Sequence, residues 1–397
     1  MRARLTARLE HQPGGTATLA LHRSSARPLP AVFFRFDGPA APPPPDRADA
    51  AAVLPIFAAM RRGADLHVDG AVSAPLLDGL ERFVEAWVDW RPDLYRPIQV
   101  TAAEELPDPP GTAAKGAALL FSGGLDSAAT LIRHRDGLAG RASRKLGLGI
   151  MAHGFEVPLS DPAWFERSRA SAAATLDQAG VPWCTLTTDA RPTLAADWEM
   201  EFVALCAGVL HLSRGQAGSG LLASDDNWAR LTTALPWSSN LATNPLLGTQ
   251  GFPIETDAGG LTRADRARLL MRLPAAHANL RVCYLSPASG INCGRCGKCV
   301  RRMLQLHVAG VPPSPAFAHG LTVGGVLRLA PRRGHQRATL QEIVDDARRF
   351  GQSDRFVWAL KAAVLRSRLG LVPPSRAEVT AWLRRQYRRW RPKPPAE

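Results

Sequence analysis

The apolar positions of this chain follow two rhythms. Between Ser73 and Trp90, Leu76, Leu77, Leu80, Phe83, Val84, Trp87 and Val88 recur at helical spacing, with Ser73 placed to cap the helix. After Lys115, short apolar runs alternate with longer helical patterns. Ala117 to Phe121 predicts a buried strand, and Ala128, Ala129, Leu131 and Ile132 open a helix behind it. Strands follow at Lys145–Met151, Trp183–Thr187 and Gly220–Ser224, separated by helices at Asp161–Gly180 and Trp198–Leu212. A further helix runs from Leu261 to Leu273, with Thr262 as its cap. Strand alternating with helix predicts an α/β fold, a parallel sheet with helices on both faces.

Flanking this core, Ala31–Phe36, Leu66–Val68 and Ile98–Thr101 are strand candidates. With the helix at 73–90 they make an N-terminal α+β region. Four consecutive prolines within Ala40–Asp46 mark a surface loop, and the Pro- and Gly-containing stretch Leu106–Thr112 marks a boundary. Leu340–Phe350, Arg355–Leu369 and Ser375–Trp390 predict a helical C-terminal tail, with Ser375 as a cap. The expected division is 1–112, 113–310 and 320–397. His67 and Asp69 beside the Leu66 strand read as structural or surface residues. Ala234–Phe252, with Asn240 and Asn244 among apolar residues, reads as a long irregular loop.

Composition fits a globular chain: 397 residues, 46% hydrophobic and 21% charged. No apolar run approaches the ~18 residues of a membrane helix, and the first twelve residues lack a secretory apolar core. The expected compartment is therefore the cytoplasm. A net charge of +14 invites a nucleic-acid reading, but the chain has only five lysines, so its basicity is almost all arginine. It is also concentrated: from Arg328 onward there are 17 basic residues against six acidic ones. Arg384, Arg385, Arg388, Arg389 and Arg391, with Tyr387 and Trp390, form an aromatic-bearing basic end. That end is either a phosphate-contacting surface or a solvated helix.

The chemistry centres on Ser122-Gly123-Gly124-Leu125-Asp126-Ser127. A glycine-rich turn between a buried strand and a helix N-terminus is an anion site, because unpaired amides and hydroxyls point at one spot. Asp126 suits a helix cap or a ligand for Mg²⁺ on a phosphate. No GxxxxGK[ST] loop is present. His153 lies at the carboxyl end of the second strand of this core, where it would face a bound nucleotide. Asp225, Asp226, Asn227 and Trp228 follow the fourth, where such folds hold substrate groups, or where a simple turn would sit.

Cys283, Cys293, Cys296 and Cys299 have the spacing C-x9-C-x2-C-x2-C. Four thiolates suit tetrahedral Zn²⁺ with no open position, so a structural metal is expected. An iron–sulfur cluster is left open by the spacing alone. Arg295, Lys298, Arg301 and Arg302 offset the −2 charge of a zinc tetrathiolate. Cys184 and Cys206 lie in apolar patterns and read as packing residues.

The SGGLDS string resembles the pyrophosphate loop of the N-type ATP pyrophosphatases. Together with the downstream cysteines, it resembles the 7-cyano-7-deazaguanine synthase family of queuosine biosynthesis across about residues 115–305. The resemblance implies a Rossmann-like, adenine nucleotide alpha hydrolase-like sheet. It implies ATP bound by Ser122, Gly123, Gly124, Leu125, Asp126, Ser127 and His153, with Mg²⁺, and Zn²⁺ on the four cysteines. It also implies an AMP-forming ligase: a carboxylate is adenylated, ammonia attacks, and the amide is adenylated again and dehydrated to a nitrile. Asp126, Ser127 and Arg263 then carry catalysis. Arg263 stands where the family has the lysine of a Leu-Thr-Lys stretch. The segment from Asp225 to Arg230 replaces the family's Tyr-Ser-Gly-Tyr-Pro-Asp-Cys-Arg stretch, which opens the substrate to other carboxylates, small or peptidic. No glutaminase signature is evident, since an N-terminal nucleophile would need a cysteine at position 2, which is Arg, and ammonia is expected to be free or partner-supplied. A homo-oligomer is the expected assembly. The alternatives are a tRNA-thiolating enzyme of the same superfamily and a non-enzymatic ATP-binding partner of nucleic acid or protein.

Overall fold

The computed structural model describes residues 3–12, 14–23, 29–108, 116–225, 227–231, 237–283, 292–331 and 334–371. Lys115, Asp226, the Arg230 side chain, part of the 106–112 boundary, residues 234–236 and the whole expected helix at Ser375–Trp390 with its basic end lie outside the described residues. The chain divides into two compact units, Met1–Gly320 and Leu321–Glu397.

The larger unit is built on one ten-stranded sheet. In chain order the strands are β1 (Arg4–Gln12), β2 (Thr16–Arg23), β3 (Val32–Asp37), β4 (Asp65–Ser73), β5 (Val100–Leu106), β6 (Ala117–Leu120), β7 (Leu146–His153), β8 (Trp183–Thr188), β9 (Ser219–Ala223) and β10 (Ile254–Asp257). Their spatial order is β10-β9-β6-β7-β8-β3-β2-β1-β4-β5. The α/β class and the Rossmann-like parallel arrangement read from the sequence are present. β9, β6, β7, β8 and β10 pair only in parallel among themselves. β6 lies between β7 and β9, so the chain winds outward in both directions from β6. The crevice at the carboxyl ends of β6 and β9 is the switch point where such sheets bind ligands.

Two N-terminal strands were not legible in the sequence. β1 and β2 form a hairpin across Gly14-Gly15, both at positive φ. Their signal is a period-2 alternation that buries Leu5, Ala7, Ala17, Leu19 and Leu21. β3 then joins the hairpin to the nucleotide-loop half by pairing antiparallel with β8, Phe34 opposite Thr188 and Asp37 opposite Thr185. The N-terminal strands and the parallel strands therefore share one sheet. They also share one hydrophobic core, in which Phe57, Phe83, Trp87 and Tyr95 stack edge to face or tilted at 5.0–6.0 Å.

Ser73 stands at the N-cap of the helix Ala74–Trp90 but makes no capping hydrogen bond. Its hydroxyl donates instead to Asp49 Oδ2 (2.9 Å) and its amide to Asp49 Oδ1 (2.8 Å). Arg214 Nη1 bonds the same carboxylate, and His211 lies 4.0 Å away. Capping lost to a buried counter-charge, because Asp49 is the nearest anion to the buried guanidinium of Arg214, with Asp108 farther off at 3.5 Å.

The smaller unit holds helices at Val323–Leu327, Gly334–Arg349 and Arg355–Arg368. Asp354 caps the last, accepting from the amides of Phe356 and Val357. Leu340, Ile343, Val344, Ala347, Val357, Leu360 and Ala363 are buried. No helix among the described residues is long and apolar enough to cross a membrane.

Asp49→Ala leaves Arg214 buried without its nearest anion. Urea unfolding should show a loss of about 3 kcal/mol or more, and a loss below ~1 kcal/mol would show that the network is dispensable.

Candidate functional site

The strand β6 ends at Leu120, and Ser122–Gly124 turns the chain into the helix Leu125–Arg135. Gly123 takes φ +71, a left-handed conformation that a side chain resists, and a Cβ there would lie 3.6 Å from Ala172 and 3.7 Å from Arg281. Ser122 is exposed at the mouth of the turn, whereas Ser127 is buried beneath it. Their hydroxyls lie 3.2 Å apart, Gly124 N donates to Ser122 Oγ (3.3 Å), and Ser127 Oγ donates to the Gly124 carbonyl (3.2 Å). Two hydroxyls thus flank the first free amides of an eleven-residue helix, the arrangement that suits an oxyanion.

Asp126 does not cap this helix. The N-cap is Gly124 with no side-chain bond, and the Asp126 carboxylate turns towards three guanidiniums. Arg266 Nη1 lies 2.6 Å from Oδ1, and Arg263 Nε and Arg302 Nη2 each lie 3.8 Å from Oδ2. Burial raises the pKa of Asp126, but Arg266, Arg263 and Arg302 outweigh it and hold the carboxyl well below the usual carboxylate range. Conversely, burial lowers Arg302 to about 10 despite the opposing pull of Asp126, with Arg263, Arg266 and Arg301 adding to the fall.

Arg266 is the residue that sequence reasoning missed. Its side chain is 1% exposed and also donates to the carbonyls of Ser224 and Ala258, the latter at 3.0 Å. Ala258 takes φ +63, alone among described non-glycine residues in a left-handed conformation. It presents its carbonyl to Arg266. The available signal was the i, i+3 repeat of Arg263 and Arg266 behind the cap at Thr262, which places both on one helix face. That cap is present as a full capping box with Asp265.

The other expected site residues are placed as follows. Arg263 also donates to the Asp225 carbonyl, so it bridges the loop and the segment after β9. The Asp225 carboxylate accepts from Trp237 Nε1 at 3.4 Å. Asn227 is half-buried. Trp228 is 59% exposed and its amide donates to Gly259 O. His153 ends β7, but its ring is engaged: Nε2 donates to Pro158 O (3.1 Å) and the ring stacks on Phe165 at 4.3 Å. Asn240 and Asn244 are buried and bond the turn around them, Asn240 to Thr243 and Asn244 to Ser239 and Thr256. His67 pairs with Thr101 Oγ1 across β4 and β5 (3.0 Å), at the surface.

The four cysteines converge. All four Sγ atoms lie within 4.8 Å of one another, with pairs at 3.5, 3.9 and 3.9 Å. A tetrahedron of 2.3 Å Zn–S bonds has edges of about 3.8 Å, so the donor set fits zinc. The amide of Cys296 donates to Cys293 Sγ and that of Cys299 to Cys296 Sγ, both at 3.4 Å. The hydrogen bond between the Cys296 and Cys299 side chains pushes the Cys296 thiol down and the Cys299 thiol up. Gly294, at φ +67, passes so near His319 that a Cβ would meet its carbonyl oxygen at 2.2 Å. Asn292 fixes the other side, accepting from the amides of Val282 and Cys283 and donating to Leu280 O and Ala316 O.

This cysteine segment also reaches the loop. The amide of Arg281 donates to Gly123 O (2.9 Å), and its Nη1 donates to Ser122 O (3.2 Å). Arg281 pairs with Glu156 at 3.1 Å. Burial lowers the pKa of Lys298, whose electrostatic neighbours include Glu156, Arg302, Arg281 and Asp225. The site is therefore an arginine-rich cluster around Asp126, with Glu156 and Asp225 at its margin, and its excess of positive charge suits a polyanion.

One curated relative, the 7-cyano-7-deazaguanine synthase of Myxococcus xanthus (strain DK1622), is 36% identical over 74 residues. The match covers 19% of this chain and 32% of the relative, so the chain spans about a third of that relative's length. It marks a distant and partial relationship. No family model matches the chain, and no solved structure matches it.

Two outcomes follow. Elemental analysis should find one zinc ion per purified chain, and Cys283→Ser or Gly294→Ala should lower both that content and the melting temperature; full stability without metal would refute a structural role. The lowered pKa of Asp126 means its stabilising contribution is complete above the unfolded value of about 3.9 and is lost as pH falls through the folded value. The stability gap between wild type and Asp126→Asn should be constant from about pH 5 to 8 and shrink below about pH 4.

Proposed function

We propose that this chain is an ATP-dependent, AMP-forming ligase, a distant relation of the 7-cyano-7-deazaguanine synthases, that adenylates a carboxylate for attack by ammonia. The observation that carries the reading is the SGGLDS turn at the sheet's switch point, with Arg263, Arg266 and Arg302 gathered over it. The partial match to a named synthase supports the same class of chemistry.

In this reading the β- and γ-phosphates of ATP lie on Ser122, Gly123, Gly124 and Ser127, and the guanidiniums stabilise pyrophosphate as it leaves. Asp126 is the loop's carboxylate, but Arg263, Arg266 and Arg302 already surround it, so it does not fit Mg²⁺ as placed, and charge neutralisation on the phosphates is assigned to the guanidiniums. A substrate carboxylate oxygen attacks the α-phosphorus, the bond to the bridging oxygen breaks, and pyrophosphate departs with its electron pair. Ammonia then attacks the acyl carbon, AMP leaves and a proton is released, giving an amide. Asp225, which accepts from Arg263 through its carbonyl, is assigned with Asn227 and Trp228 after it to the substrate, a small or peptidic carboxylate. A second adenylation would carry the amide to a nitrile.

The tRNA-thiolation alternative needs a nucleophilic cysteine outside the cluster. Burial pushes the Cys184 thiol up to about 12, and burial with Asp225 and Glu156 raises Cys206 further. Neither is poised to attack at neutral pH, so the ligase reading is preferred.

The test is product analysis with ATP, Mg²⁺, ammonium and 7-carboxy-7-deazaguanine, repeated with other carboxylates. AMP and pyrophosphate are expected in equal amounts, and Ser122→Ala with Asp126→Ala should reduce their formation by at least ~100-fold. ADP as the product, or equal turnover by the variant, would overturn the assignment.

A further inference from the structure

The cations around the loop come from two separate sources. Arg263 and Arg266 belong to the capped helix after β10 and are held by the carbonyls of Asp225, Ser224 and Ala258, none of them in the cysteine segment. Arg281, Lys298 and Arg302 belong to the cysteine segment: Arg281 lies two residues before Cys283, Lys298 stands between Cys296 and Cys299, and Arg302 follows Cys299 by three. None of these three sits on a strand of the sheet.

Their backbone is shaped by the thiol cluster. Cys296 is the N-cap of the helix Gly297–Val308, accepting from the amide of Cys299, so the helix bearing Lys298 and Arg302 begins on a cluster sulfur. Arg281 meets the loop through its own amide and guanidinium, at Gly123 O and Ser122 O. Arg302 meets it at Asp126, 3.8 Å away. Four thiolates without a metal repel one another as they ionise, whereas one divalent ion draws them to fixed positions.

We infer that metal on the four cysteines and polyphosphate on the Ser122–Ser127 loop bind cooperatively, because the metal fixes the segment that delivers Arg281 and Arg302 to the loop. The metal is then a positioning element for the nucleotide site and not only a staple of the fold. This inference rests on the reading of the loop as a phosphate site. Reciprocity is required: if metal strengthens polyphosphate binding, polyphosphate must hold the metal by the same factor.

The experiment uses the full chain loaded with zinc, and inorganic pyrophosphate with Mg²⁺ as the probe. Loss of zinc to an excess of a chromogenic chelator is timed with and without saturating pyrophosphate, whose binding is measured separately by calorimetry. Pyrophosphate should slow zinc loss by at least about fivefold, the lower end of ordinary site-to-site coupling. Free pyrophosphate itself binds zinc and would hasten loss, so slowing has one meaning. In Ser122→Ala/Ser127→Ala, which retains its zinc, the slowing should disappear. Arg302→Ala, with zinc still at one per chain, should weaken pyrophosphate about tenfold, the size of one charge-assisted contact. If pyrophosphate binds the loaded chain and zinc loss is unchanged, the coupling is overturned while the phosphate reading stands. If the loaded chain does not bind pyrophosphate, both fall.

Discussion

A carboxylate held among three guanidiniums in a partly dry crevice sets the electrostatics on which the rest of the site depends. Asp126 lies where β6 hands the chain to its helix, and Arg263, Arg266 and Arg302 close on it from two other helices. Like charges this close repel strongly unless an anion lies between them. Asp126 and Glu156 together cannot neutralise Arg263, Arg266, Arg302 and Arg281, so the cluster keeps a net positive charge. Arg266 is committed to backbone carbonyls of Ser224 and Ala258 as well, so its position is set before any ligand arrives. That is preorganisation: the cost of gathering the charges is met in folding, not at the moment of binding.

The same geometry links two features that look independent along the chain. The glycine-rich turn and the cysteine segment are separated by some 160 residues, yet Arg281 bonds the turn directly. The sheet makes this possible by returning the chain to the carboxyl ends of its parallel strands after each crossover.

What was legible in the sequence was what local geometry determines. The strand–turn–helix at Ala117–Arg135, the helix over Trp198–Leu212 and the Thr262 cap each follow from neighbours in sequence, and each is present. The convergence of four cysteines was legible because two of the gaps are only two residues long. The rest was set by contacts distant in sequence. Ser73 and Asp126 both read as caps, and both are drawn into ion-pair networks with arginines far along the chain, Arg214 for Ser73 and Arg266 for Asp126. Arg266 gave no sign of burial because an arginine is buried only where several acceptors meet it, and those acceptors come from other elements. β1 and β2 were obscured by their exposed faces, where Arg4, Thr6, Arg8 and Glu10 alternate with the apolar residues.

The antiparallel seam between β3 and β8 has a consequence for how this protein can be cut or recombined. An ordinary doubly wound sheet ends at its outer strand, and a fused module can be removed at a linker without touching that edge. Here the outer strand of the parallel set is already paired to the N-terminal region through four backbone positions. Deleting the first hundred residues would strip β8 of its partner and leave a bare ladder of amides and carbonyls from Thr185 to Thr188. Such an edge recruits other chains. The N-terminal region is thus a permanent edge guard, and a minimal version of this protein trimmed to its nucleotide loop and cysteines would trade solubility for brevity.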